Sequence, residues 1–142
     1  MRWWGRLAER LRGESRPLSL GERGERAAVR FLRRRGMKIV ARGYRERFGE
    51  LDIVAVERRT VVFVEVKTRV SSRGGHPAEA VDTDKQRRIL LAALAFLKRN
   101  RLLECAARFD IVAVTWPEDQ RRPVIEHFPN AFEPPDRGGM FS

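Results

Sequence analysis

A chain of 142 residues fits one domain, long enough to bury about two thirds of its unfolded surface in a single core. Its one cysteine, Cys105, excludes an internal disulfide framework and a cysteine-based zinc site, and no apolar run reaches the roughly 20 residues that span a bilayer. The net charge of +11 is unevenly spread: positions 1–47 carry 15 Lys and Arg against 5 Asp and Glu, while the remaining 95 carry 15 against 14. That surplus is the footprint of a polyanion partner, with nucleic acid favoured over a merely solvated surface and no membrane partner expected. Without the apolar core and cleavage site of a secretory leader, a cytoplasmic protein is expected.

Positions 2–12 set Trp3, Leu7 and Leu11 on one side and arginines elsewhere, the pattern of a short amphipathic helix, so positions 1–18 are predicted to be an extension. The domain proper is predicted over 19–133, with a disordered Pro- and Gly-rich tail over 134–142. Ser19 and Glu22 have the spacing of a capping box, and the helix they start is predicted to run to about Arg35 and stop at Gly36. Ala27, Ala28, Phe31 and Leu32 form its apolar arc. On a wheel of about 100° per residue Glu25 falls between Leu32 and Val29, inside the apolar arc, which turns a carboxylate towards the domain interior; the competing reading is a boundary Glu paired with a nearby Arg. A first strand is predicted over Met37 to Tyr44, then a hairpin over Gly49 to Arg69.

A loop with Gly74 and Gly75 leaves the hairpin. Asp82 or Thr83 can cap a long helix to about Asn100, with Ile89, Leu90, Ala93, Leu94 and Leu97 as its buried stripe. Lys85, Gln86, Arg87 and Arg88 occupy its first turns, where positive charge opposes the helix dipole. Arg108 to Thr115 and Val124 to Phe128 complete the strands. Cys105 is expected to be a packed thiol near a helix end. His76 and His127 are expected to be solvated or locally bonded.

The hairpin carries the chemistry. Asp52 interrupts one apolar strand, and Glu65 and Lys67 interrupt the other; ions buried there without compensation cost several kcal/mol each. Side chains alternate along a strand, so Val61, Phe63, Glu65, Lys67 and Arg69 share a face, with Glu65 and Lys67 about 7 Å apart. A turn on Glu57–Thr60 makes opposed positions sum to 117, which sets Asp52 across from Glu65 and Glu50 across from Lys67. Opposed side chains in a hairpin lie about 5 Å apart at Cβ, so two carboxylates there call for a cation between them. Only 4 of the 30 basic residues are lysines, which makes Lys67 a further sign of chemistry, since an ammonium is a compact charge that can approach a metal-bound water.

The order helix, three strands, helix, two strands, with Asp52 early in one strand and Glu65-Val66-Lys67 in the next, resembles the PD-(D/E)XK nuclease superfamily and its Holliday junction resolvases. More specifically, Gly24-Glu25, Gly49-Glu50-Leu51-Asp52-Ile53-Val54-Ala55, Phe63-Val64-Glu65-Val66-Lys67-Thr68-Arg69, Ala80-Val81-Asp82 with Lys85-Gln86, Arg108-Phe109-Asp110-Ile111-Val112 and Asn130-Ala131-Phe132 resemble the bacterial YraN-like, endonuclease-like family. The resemblance implies an α/β fold: a restriction-endonuclease-like αβββαβ core with a mixed central sheet flanked by helices. It also implies a metal-dependent endonuclease acting on phosphodiester bonds, with structured or branched DNA favoured over RNA. In that reading Asp52 and Glu65 hold Mg²⁺ or Mn²⁺, with the Val66 carbonyl as a further contact and Glu25 on the same or a second cation. Lys67 positions or deprotonates water, Glu50 supports Lys67, and Arg69, Lys85 and Gln86 contact nucleic acid. Two alternatives stay open: a catalytically inactive nucleic-acid-binding module of the same fold, and a scaffold whose hairpin charges only form ion pairs. A homodimer of the kind junction resolvases form also stays open.

Overall fold

The structure is a computed structural model that describes residues 16–71, 73, 75–117 and 120–133. The expected amphipathic helix over 2–12 and the expected tail after Glu133 fall outside these residues. Helix α1 (Leu20–Arg34) starts where the Ser19 hydroxyl accepts the Glu22 N–H at 3.1 Å and ends against Gly36, whose φ of +90° no other residue type adopts comfortably. Strands β1 (Lys38–Glu46), β2 (Gly49–Glu57) and β3 (Thr60–Arg69) follow, then a short 3₁₀ turn (Pro77–Ala80), helix α2 (Thr83–Arg99), and strands β4 (Ala106–Thr115) and β5 (Val124–Phe128). Asp82 caps α2 by accepting the Lys85 N–H at 2.8 Å.

The five strands form one mixed sheet in the order β1-β2-β3-β4-β5, antiparallel except for the β3–β4 pair, which α2 connects. A helix covers each face. Ala28, Val29 and Leu32 of α1 pack on Ile53, Ala55, Val62, Val64, Val112 and Val114, and Ile89, Ala93, Phe96 and Leu97 of α2 pack on Val54, Val61, Phe63, Phe109 and Ile111. Strand β3 is therefore buried on both sides, which accounts for its unbroken apolar run from Val61 to Val64. This is the restriction-endonuclease-like α/β arrangement that the order of elements suggested. Among the described residues no helix is long and apolar enough to cross a membrane.

The β2–β3 register is the expected one. Val56 pairs with Val61 and Ile53 with Val64 around a two-residue loop on Arg58 and Arg59, but the paired ladder stops at Ile53. There the alternation in β2 slips: Leu51 and Val54, three positions apart, pack in the same core, while Ile53 and Ala55 pack in the other. The slip overturns the expectation that Glu50 faces Lys67. Glu50 instead pairs across β1 with Arg45, its carboxylate 3.9 Å from the guanidinium.

Two close approaches bring the helices onto this end of the sheet. A Cβ on Gly24 of α1 would fall 1.8 Å from the Thr68 hydroxyl and 2.8 Å from its Cβ. A Cβ on Gly49 would fall 2.5 Å from the Arg88 carbonyl, so α2 meets the start of β2 backbone to backbone. We predict that Gly24→Ala lowers stability by roughly 2–3 kcal/mol in chemical unfolding. Thr68→Ala in the same chain should recover only part, because the Cβ contact stays; full additivity of the two changes would contradict this packing.

A second charged residue in a strand proves structural. Asp110, fully buried in β4, accepts from Arg108 at 3.0 and 3.2 Å and from the Asn130 backbone N–H at 2.8 Å, and it lies 2.8 Å from His127 Nε2. His127 is thus buried and bonded, not solvated, with its ring edge-on to Phe31. The Ala131 N–H donates to the Phe109 carbonyl and Phe132 stacks on Phe109, so the segment after β5 is fastened to β4. Cys105 lies in the turn before β4, beyond the end of α2, and is partly buried against the core. Burial alone would raise the Asp110 carboxyl, but its bonds to His127 and Arg108 hold it below the usual value. Its stabilisation is complete above the ordinary aspartate pKa near 3.9 and is lost as pH falls through the lowered value. Asp110→Ala, which strands three partners, should cost about 3–5 kcal/mol in urea unfolding at pH 7; a loss below about 1 kcal/mol would show the hub to be dispensable.

Candidate active site

Where β2 and β3 part, the Asp52 side chain takes over the ladder by accepting the Val66 N–H on Oδ2 at 2.8 Å. This bond fixes the carboxylate at the rim of the sheet, next to Glu65. Glu65 is only 8 % exposed and points to the α2 face, as alternation from Phe63 requires. There the Lys85 ammonium from the first turn of α2 stands 2.5 Å from its Oε1.

The pair opens on two adjoining grooves that share Asp52 and Lys85. One, of about 350 Å³, is lined also by Gly49, Glu50, Glu65 and Arg88; the other, of about 400 Å³, by Glu22, Glu25, Lys67 and Thr68. A larger hollow of about 620 Å³ lies elsewhere, beside Glu57, Arg108 and Asn130, and holds none of the expected site residues. The chemistry favours the smaller grooves, since they, unlike the larger hollow, bring carboxylates and lysines together.

Electrostatics mark the same place. Burial, then the charge of Glu65, pushes the Asp52 carboxyl up to about 7, against the Val66 bond and the Lys85 charge, which favour its ionised form. Glu65 is close enough to hydrogen-bond it. Burial and the charge of Asp52 also raise Glu25, while Arg42, 3.8 Å away, pulls it down. Glu25 therefore turns towards Asp52, as its place on the wheel suggested, and is also ion-paired.

Asp52, Glu65, Lys67 and Glu25 thus converge, and Lys85 joins them as a direct partner of Glu65. Arg69 and Gln86 do not line the grooves. Arg69 donates to the Gly75 carbonyl at 2.8 Å and to the Thr115 hydroxyl at 3.4 Å, and Gln86 donates to the Val81 carbonyl at 3.0 Å. Both hold the segment between β3 and α2. Sequence reasoning missed the Lys85–Glu65 contact. Its trace was a lysine in a helix turn where the dipole disfavours one.

The residues fit a hard divalent cation. Two carboxylates sharing a half-buried rim supply oxygen donors and an uncompensated charge, which suits an ion that keeps several waters. No group of three His, Cys, Asp or Glu side chains forms a metal cluster among the described residues, so Glu25 is not gathered into a ligand set with the pair.

The raised Asp52 predicts a pH effect without metal. Its ionisation is easier in the unfolded chain, near pH 3.9, than in the folded one, so stability falls as pH rises from about 4 to about 7 and then levels. Asp52→Asn, which keeps an acceptor for Val66, should therefore raise metal-free stability by roughly 1–3 kcal/mol at pH 8 and by little at pH 4.5. Melting curves at the two pH values with a chelator present check this; an equal change at both would contradict it.

Comparison with known proteins adds a family. Residues 24–114 match the family model described as Uncharacterised protein family UPF0102. A UPF0102 protein of Rhodopirellula baltica is 51 % identical over 116 residues, covering 80 % of this chain and 70 % of its own. UPF0102 proteins of Geobacter metallireducens and Syntrophotalea carbinolica are each 50 % identical, covering 81 % and 82 % of this chain and 93 % of their own.

Proposed function

The chain belongs to the uncharacterised protein family UPF0102, and we propose that it is a metal-dependent endonuclease hydrolysing phosphodiester bonds in nucleic acid, structured or branched DNA above all. The observation that carries the reading is the pairing of half-buried Asp52 with buried Glu65, with Lys67 and Lys85 around them, at the point where β2 leaves β3. Asp52 and Glu65 would hold Mg²⁺ or Mn²⁺, and the bound ion would supply Lewis acidity to a phosphate oxygen.

The chain's own groups supply the rest. The Val66 bond locks Asp52 in place, so the carboxylate need not reorganise during the reaction. Lys67 enters no ion pair among the described residues and lines the groove beside Asp52. Its Nζ is free to orient the attacking water, take its proton when neutral, or stabilise charge on the phosphate when protonated. Glu25 lies across the same groove, where its raised carboxyl can hold a proton or a second cation.

Charge supports nucleic acid as the substrate. Arg26, Arg30, Arg33 and Arg34 are exposed on α1 and enter no ion pair among the described residues, and this helix begins at the Lys67 groove. Such a stripe suits phosphate contacts, which position a substrate without reading its bases. The Lys85–Glu65 contact favours a second reading, a non-catalytic binding module in which the ammonium permanently neutralises Glu65.

Incubation of branched DNA, single-stranded DNA and RNA with the protein and Mg²⁺ or Mn²⁺ separates the two. Cleavage should require the ion and fall about 10²-fold or more in Asp52→Ala and in Lys67→Ala. Cleavage that survives Asp52→Ala would remove the enzymatic reading. Binding without cleavage, weakening steeply with salt, would leave the module.

A further inference from the structure

Lys85 stands where a cation is least expected. It lies in the first turn of α2, where the helix dipole disfavours positive charge, and beside the capping Asp82 its ammonium has the Glu65 carboxylate to offset that cost. The partners are unequal: the Glu65 side chain is 9 % exposed and the Lys85 side chain 37 %. The carboxylate is fixed in the sheet, whereas the ammonium lies near the surface and can be hydrated once another cation takes its place beside Glu65.

The other buried carboxylate is compensated differently. Asp110 is held by Arg108 through two guanidinium bonds, backed by a backbone N–H and by His127. A planar fork with several anchors makes a lasting bond; one ammonium on a flexible stem makes an exchangeable one. With 26 arginines against 4 lysines, a lysine at Glu65 sets this pair apart from the structural one.

We propose that Lys85 is an internal counter-cation that competes with a divalent ion for Glu65, so that metal binding releases its ammonium into the two grooves it lines. The inference rests on the metal-dependent reading above. It adds that the resting site is closed by the chain's own charge. Once freed, Lys85 lies beside Lys67 in the groove that also holds Asp52, where a phosphate would meet two ammonium groups instead of one.

Calorimetric titration of the full chain with Mn²⁺ at fixed pH and ionic strength tests it, alongside melting curves. Lys85→Met should bind Mn²⁺ about tenfold or more tightly than wild type, melt lower without metal, and gain more melting temperature from Mn²⁺. Lys85→Arg, which keeps the charge as a more persistent fork, should bind more weakly than wild type. Should Lys85→Met fail to fold alone, recovery of its circular dichroism on adding Mn²⁺ supports the proposal. No recovery, with Lys85→Arg binding as wild type does, overturns it. Equal affinity in wild type and Lys85→Met, with binding lost in Asp52→Asn, removes the role of Lys85 and leaves the metal site standing. Absence of Mn²⁺ binding in wild type and every variant removes both.

Discussion

Placing charge in strands covered on both faces is the constraint from which the arrangement of this protein follows. Helices on each side of the sheet leave β3 and β4 no solvent to hydrate a carboxylate, so each one requires a partner brought by another element. The chain meets this requirement in two ways. At Asp110 the partners are fixed: a guanidinium two residues earlier on the same strand, a histidine from β5 and a backbone N–H beyond it. At Asp52 and Glu65 compensation is incomplete, and burial followed by the charge of Glu65 raises the Asp52 carboxyl. One centre organises the fold. The other keeps a demand for positive charge that a ligand can meet.

The slip in β2 separates the two cases. Had the ladder continued past Ile53, the Val66 N–H would have found a backbone acceptor and the Asp52 side chain would have had no role in the sheet. Because the strands part, a side-chain oxygen replaces the missing carbonyl, and the Asp52 carboxylate becomes a structural cap. Close packing then works on the same spot, since Gly24 lets α1 reach Thr68 and Gly49 lets α2 reach β2. Glu25 and Lys85 arrive from opposite faces as a result.

Much of this was legible in the residues, and the reasons differ from element to element. The β2–β3 register followed from two valine-rich runs and a tight turn, a local relation in which each pair limits the next. The place of Glu25 followed from helical period alone. The partners of Glu50 and His127 did not, because one depends on a break in alternation that no period foretells and the other on a strand pairing reached across the sheet. Asp110 carried the same signal as Asp52, a carboxylate within an apolar strand. Arg108, two positions before it and on the same face, was the clue that this charge was already matched.

The same comparison bears on how a carboxylate pair comes to serve chemistry. A buried charge bound by a fork and several anchors gains stability and loses availability, because any ligand must replace all of its bonds at once. A buried charge answered by one ammonium near the surface gives up some stability and remains open to exchange. Glu65 has the second arrangement, and for Asp52 beside it the Val66 bond and the Lys85 charge are outweighed by burial and by Glu65. This incompletely compensated rim coincides with two of the grooves, with Lys67 and Lys85 and with the start of the arginine-lined helix. A chain that needed only a stable fold could have treated Glu65 as it treats Asp110, and the contrast between the two carboxylates supports the proposal that the Asp52–Glu65 rim binds a ligand.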